Sequence, residues 1–215
     1  IHNASTAITI NSSNVTIKIS MIKNNNCGGI YITGSSCTIS NNEISNNGGI
    51  GCGSPGAGVR VTNSSSANIM NNKIYSNQSY IGGGGCNYGG WGGAISIEQN
   101  STATIKSNLI YSNSAINGGA VNVSSNNSVF FQNNTVYGNN ATGSDCNSNG
   151  EGGAYFFEGS NITIVNDIIS NNSATEDWPN SDCIYGGSGT INYTLTNGGF
   201  GNSGLNGSNN INEFL

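Results

Sequence analysis

Residues 92–113, GGAISIEQNSTATIKSNLIYSN, decide the fold, because they hold one whole copy of a pattern that the rest of the chain repeats. Ile95 and Ile97 alternate with polar residues, Ala103 and Ile105 do the same after a short corner, and Ile110 stands two residues beyond Asn108. Such period-two alternation marks strands, whose successive side chains point to opposite faces. The polar punctuation at Gln99-Asn100-Ser101 and Ser107-Asn108 is turn chemistry, since Asn and Ser bond back to the local backbone and Asn reaches left-handed angles.

Outward from this stretch, similar copies open at Ala7, Gly28, Gly58, Ala120, Ala154 and Cys183, and a recurrence of this kind is read before any single motif. The first apolar pair recurs as Ile8/Ile10, Ile30/Ile32, Val59/Val61, Val121/Val123 and Tyr155/Phe157. The second recurs as Val15/Ile17, Cys37/Ile39, Ala67/Ile69, Val129/Phe131 and Ile162/Ile164. A third inward position falls at Ile22, Ile44, Ile74, Ile110, Val136 and Ile169, and three residues beyond each stands Asn25, Asn47, Asn77, Asn113, Asn139 or Asn172. Ahead of the third strand another corner holds Asn42, Asn72, Asn108 and Asn134, with Ser20 and Asp167 in the outer copies. Stacked asparagines suit such corners, because Asn tolerates left-handed angles and one amide bonds the next.

Spacing between copies runs from 21 residues (Ala7 to Gly28) to 36 (Gly58 to Ala94), and the variation falls after the corner asparagine. Insertions therefore emerge along one edge. The pattern predicts an all-β, single-stranded right-handed parallel β-helix with three strands per rung and about seven rungs, each burying its face against its neighbours. At roughly 4.8 Å per rung the core is on the order of 35 Å tall. The solenoid is expected over residues 1–197, with the Gly/Asn-rich residues 198–215 as a tail or cap.

Composition excludes several function classes. Only 7% of the 215 residues are charged, and Lys18, Lys23, Arg60, Lys73 and Lys106 are scattered, so the clustered basic footprint that nucleic acid needs is missing. No window is apolar for long enough to span a membrane as a helix. The six cysteines form no CxxC pair and the single histidine is His2, which argues against a zinc centre. An even cysteine count points to disulfides and an oxidising compartment. Cys27, Cys52, Cys86, Cys146 and Cys183 sit in the loops or at their ends and are the disulfide candidates, within the chain or between subunits, whereas Cys37 falls on an inward position as a buried thiol.

Gly92-Gly93-Ala94-Ile95, Gly118-Gly119-Ala120-Val121 and Gly152-Gly153-Ala154-Tyr155 carry a GGA-aliphatic or aromatic motif, and Phe131-Gln132-Asn133-Asn134 an FxxN motif. On these the chain resembles the pectate-lyase-like parallel β-helix proteins, and more narrowly the repeats of polymorphic outer-membrane proteins and related bacterial and archaeal surface proteins. That resemblance implies a secreted or surface location and a role in adhesion or envelope structure.

Strand-borne acids are sparse. Glu43 and Glu98 lie on different faces, and Arg60 shares a face with Glu98 one rung on, which reads as a plain cross-rung ion pair. Asp145 and Glu151 in one loop, with Glu176, Asp177 and Asp182 in the next, are the acids from which a calcium site can be assembled. Tyr75, Tyr111 and Tyr137 fall one residue after the inward position in consecutive rungs, an outward aromatic ladder, and with Trp91 they form the candidate contact surface for cell-surface glycans or another subunit. Sequons at Asn3, Asn14, Asn63, Asn100, Asn122, Asn161 and Asn192 are candidate glycosylation sites. No charged or proline-rich cap precedes Ile8, so end-to-end stacking into a homopolymer is expected. The expectation is an extracellular structural protein of the cell surface, a fibre, sheath or adhesive stalk, and not an enzyme. The alternative is a polysaccharide-binding or polysaccharide-cleaving protein.

Overall fold

A computed structural model of the chain describes residues 1–49, 56–79, 90–143, 150–175, 183–196 and 204–210. Among them every regular element is a strand, and strand pairs with strand in parallel, one turn of the coil apart. The first strands of successive rungs are Thr6–Asn11, Gly28–Thr33, Val59–Thr62, Ile95–Ile97, Val121–Val123 and the start of Tyr155–Val165 and Ile184–Asn192. The last two run on through the first corner, so first and second strands share one 13-stranded sheet. Third strands, from Met21–Lys23 to Leu195–Thr196, make a seven-stranded sheet.

The core follows from the alternation. Ile22, Ile44, Ile74, Ile110, Val136 and Ile169 stack in register with zero exposure, and Ile30, Val59, Ile95, Val121 and Tyr155 stack on the first strands, none more than 1% exposed. Each such side chain contributes about 1.5–3 kcal/mol by burial, but only against the rungs above and below it.

Three corner ladders carry the bends. Asn25, Asn47, Asn77, Asn113, Asn139 and Asn172 are joined by Nδ2-to-Oδ1 hydrogen bonds of 2.7, 2.9, 3.0, 2.9 and 2.9 Å. From Asn47 onward each amide also donates to a core-strand carbonyl of the preceding rung, as Asn113 does to Ile74 at 3.0 Å. Asn42, Asn72, Asn108 and Asn134 form the second ladder, which ends on Asp167. The third, at the first corner, passes from backbone N–H to side chain through Ser35, Ser65, Ser101 and Asn127. Its signal in the sequence is a Ser or Asn two residues ahead of each second apolar pair.

The left-handed angles fall one residue earlier than the ladder asparagines. Asn24, Asn46, Ser76, Ser112, Gly138 and Asn171 have φ between 52° and 61°. One residue bends the backbone, and the next supplies the amide that ties the bend to its neighbours.

Two features extend the expected architecture. Beyond the third corner a short fourth strand adds a five-stranded sheet, Gly48–Gly49, Gln78–Ser79, Ser114–Ala115, Asn140–Ala141 and Ser173–Ala174, because the chain keeps pairing before the insertion departs. Part of the tail joins the coil: Gly204–Asn206 pairs with Ile184–Asn192, and Asn210 accepts from Thr194 N and donates to Ile191 O as a ladder asparagine does. Ser208-Asn209-Asn210 repeats Ser40-Asn41-Asn42, which is the signal for this partial eighth rung.

Candidate functional site

Most of residues 46–58, 76–94, 140–154 and 173–183 belongs to the insertions, and their described return legs fold over the outer face of the first strands. Gly92, Gly118 and Gly152 sit there with φ of 66°, 64° and 65°, and a Cβ on any of them would run into the carbonyl of Ile95, Val121 or Tyr155. The second glycine of each pair has a different reason. A Cβ on Gly93 would strike the carbonyl of Gly119, and one on Gly119 that of Gly153, so the GGA motif combines a left-handed turn with close rung-to-rung approach.

Under these legs lies a polar cluster. Arg60 donates to Glu98 through Nε (3.2 Å) and Nη2 (2.9 Å), and its guanidinium stands over the Tyr31 ring at 5.2 Å. Ser96 Oγ donates to Glu98 Oε1 at 2.7 Å, and Asn122 Nδ2 donates to Ser96 Oγ at 3.3 Å. Register pairs Arg60 with Ser96, so the ion pair is a diagonal across neighbouring rungs. The Glu98 carboxylate already takes three donors, which suits a brace between strands and leaves it poorly placed to take a proton from a substrate.

The tyrosine ladder stands on the third-strand sheet. Tyr75 and Tyr111 stack at 4.8 Å with planes 7° apart, and Tyr111 and Tyr137 at 5.1 Å and 2°. Both faces of Tyr111 are thus occupied by its neighbours. Tyr75 donates to Glu43 Oε1 at 2.5 Å, a bond that pushes its own pKa up. Trp91 does not join this surface: it sits on a return leg, bridged to Asn117 beside the first strands.

Asp167 replaces the ladder asparagine of rung six and is 1% exposed. Its Oδ1 accepts from Asn134 N at 2.7 Å and Nδ2 at 3.1 Å, and its Oδ2 accepts from the hydroxyl of the fully buried Tyr155 at 2.9 Å. Burial raises its pKa to about 7, against the opposing pull of these donors. Tyr155 and Asp167 depart from the repeat together, and the phenol spans the core to meet the carboxyl.

Cys27 is disulfide-bonded, while Cys52, Cys86 and Cys146 lie outside the described residues. Cys37 faces the core between Val15 and Ala67, and burial pushes its thiol up to about 11. Cys183 stands at the end of a loop, directly before the strand Ile184–Asn192, and has zero exposure beside Tyr155. Of the loop acids, Asp145, Glu176, Asp177 and Asp182 lie outside the described residues, and the Glu151 backbone is held by Asn117 and Gly118. Among the described residues no group of three or more His, Cys, Asp or Glu side chains comes together, and no helix is long and apolar enough to cross a membrane.

Of the sequons, Asn3, Asn14, Asn63, Asn100 and Asn161 are exposed, and Asn192 is half-buried and accepts from Ser208 N. Asn122 is the exception to the expectation. At 1% exposure, sealed in the Ser96 cluster, its amide has no room for a glycan on the folded protein.

A family model described as a right-handed β-helix region matches residues 1–148. Neither the curated proteins nor the solved structures contain a match to the chain.

Proposed function

The chain belongs to the right-handed β-helix family, and from that premise we propose that it is a non-catalytic structural protein of an extracellular surface, self-associating into a fibre, sheath or adhesive stalk. The observation that carries this reading is the unbroken Asn25-to-Asn172 ladder, whose buried side-chain bonds run along the rod axis through six rungs. A fold that spends its polar residues on axial bonding rather than on convergent side chains suits a load-bearing element. Two further features support it. Arg60 and Glu98 use their charges on each other, Glu43 accepts from the neutral Tyr75 hydroxyl, and the Cys27 disulfide suits an oxidising compartment.

The test is negative-stain electron microscopy of the purified protein, with and without a thiol reductant. Fibres or sheets that loosen on reduction are expected; dispersed short rods under both conditions would overturn the structural reading. Glycan binding has one observation in its favour. Tyr137 ends the ladder, its register partner in the next rung is Ser170, and one ring face therefore has no tyrosine over it. A glycan-array signal that Tyr137→Ala abolishes would favour that second reading.

A further inference from the structure

We propose that the outer face of the third-strand sheet is an interface with a second copy of this chain, rods antiparallel, centred between the rungs of Glu43 and Lys73. This names the lateral contact of the assembly proposed above and rests on that reading.

Two outward columns and one corner column make this face. The central column reads Met21, Glu43, Lys73, Leu109 in register over the first four rungs. On one side of it the second corner reads Ile19, Asn41, Asn71, Ser107, and on the other runs the column Lys23, Ser45, Tyr75, Tyr111, in which Ser45 is buried. A two-fold axis lying in the interface along the strands, between rungs two and three, sets rung one against rung four and rung two against rung three. Glu43 then faces the partner's Lys73, and Lys73 the partner's Glu43. Met21, 50% exposed, faces the partner's Leu109, Asn41 faces the partner's Asn71, and Lys23 comes opposite the hydroxyl of the partner's Tyr111.

Other registers fail on charge. Parallel rods would set Glu43 against Glu43 and Lys73 against Lys73. Moving the antiparallel axis up one rung sets Glu43 against Thr135 and Lys73 against Leu109, which covers both charges with no opposite charge from the second copy and leaves Glu43 only its Tyr75 bond and its register neighbour Lys73. Only the charge order Met-Glu-Lys-Leu, read in opposite directions on the two copies, satisfies all four rungs.

Ile19 is the independent sign that this corner does something other than fold. It holds φ 51° at 81% exposure, where the equivalent positions of rungs two to six are Asn41, Asn71, Ser107, Asn133 and Asn166, and only Tyr193 in rung seven is likewise large and exposed. A β-branched residue is strained there, and its side chain extends the apolar end of the patch beside Met21. Four rungs are roughly 19 Å tall, which places the contact at the small end of specific interfaces, below about 1,200 Å² in total. The pairing is therefore weak and concentration-dependent, and it gains force where several copies repeat it.

Sedimentation velocity of the full chain over a concentration series tests this, with folding checked by far-UV circular dichroism and urea melts. Wild type should shift toward dimer, less so in high salt. Lys73→Glu and Glu43→Lys should each weaken dimerisation by at least about tenfold, and the double swap should restore it. Ile19→Asn should weaken the dimer while raising the urea midpoint, since it relieves backbone strain. A monomer at all concentrations, a dimer indifferent to Lys73→Glu, or a double swap without rescue would each overturn the interface. Fibres or sheets that persist in Lys73→Glu would leave the structural reading standing while removing this contact.

Discussion

Asn113 shows what a single residue does in this fold. Its Oδ1 accepts from the backbone and amide nitrogens of Asn77 at 3.0 Å each, and its amide donates to Ile74, Tyr111 and Asn139. Asn113→Ala strands buried donors and acceptors on both neighbouring rungs, and an unmet buried partner costs about 1–3 kcal/mol. We expect a loss of about 3 kcal/mol, read as a lower urea midpoint at unchanged slope. Asp167 behaves differently because it titrates. Its folded-state pKa of about 7 lies above its ordinary 3.8, so the folded protein holds this proton more tightly than the unfolded chain. The contribution is full below about pH 4, drains away as pH rises toward 7, and is gone above it, a swing of a few kcal/mol at about 1.4 kcal/mol per pKa unit. Asp167→Asn should flatten the stability profile between pH 4 and 8 and raise stability at pH 8, measured by urea melts across that range. A profile as steep in the variant as in wild type would place the pH dependence elsewhere.

Among the elements, the return legs and corners separate what the sequence discloses from what it hides. Gly93 and Gly138 look alike in a list of glycines. A Cβ on Gly93 would strike the backbone of Gly119 and Ser114, while Gly138, at φ 61°, has nothing within 4 Å of its Cβ. Gly93→Ala should therefore cost several times what Gly138→Ala does, the latter about 1 kcal/mol from backbone strain alone, as paired thermal melts would show. The strands were legible because alternation and register have the same period in every rung: Ile22, Ile44, Ile74 and Ile110 each announce the next. Arg60 and Glu98 were legible as a pair for the same reason. The serine ladder is hidden in the sequence because Ser35, Ser65 and Ser101 stand in corners crowded with other polar residues, and only their depth separates them from their exposed neighbours. The depth of Cys183 and Asn122 is hidden in the sequence because residues at the end of a loop, or on the outer face of a strand, count as exposed until a returning chain covers them. Asp167 looked like one more corner residue; its partner Tyr155 lies across the core, a contact that no local spacing encodes.

At the scale of the whole molecule the rungs form a chain of nearest neighbours, and stability should be distributed accordingly. The first strand Ile95–Ile97 pairs with Val59–Thr62 below and Val121–Val123 above, and Leu109–Tyr111 pairs likewise with Lys73–Tyr75 and Thr135–Tyr137. Among the described residues the strands of rungs three and five are joined only through those of rung four. Ile22 and Ile110 are the same residue with the same zero exposure, one in rung one and one in rung four. In a globular core Ile→Ala at either would lower one shared transition by about 2–5 kcal/mol. In a linear array Ile22→Ala loosens only the end, so faster amide exchange should stay within residues 6–45. Ile110→Ala weakens the interfaces on both sides of the link that joins the two halves, and should broaden the melt or divide it in two. Hydrogen exchange and calorimetry on the pair of variants read the difference directly. Equal, uniform loss of protection across all rungs in both variants would mean that the axial ladders couple the rod into a single cooperative unit, stronger than contact between adjacent rungs alone provides.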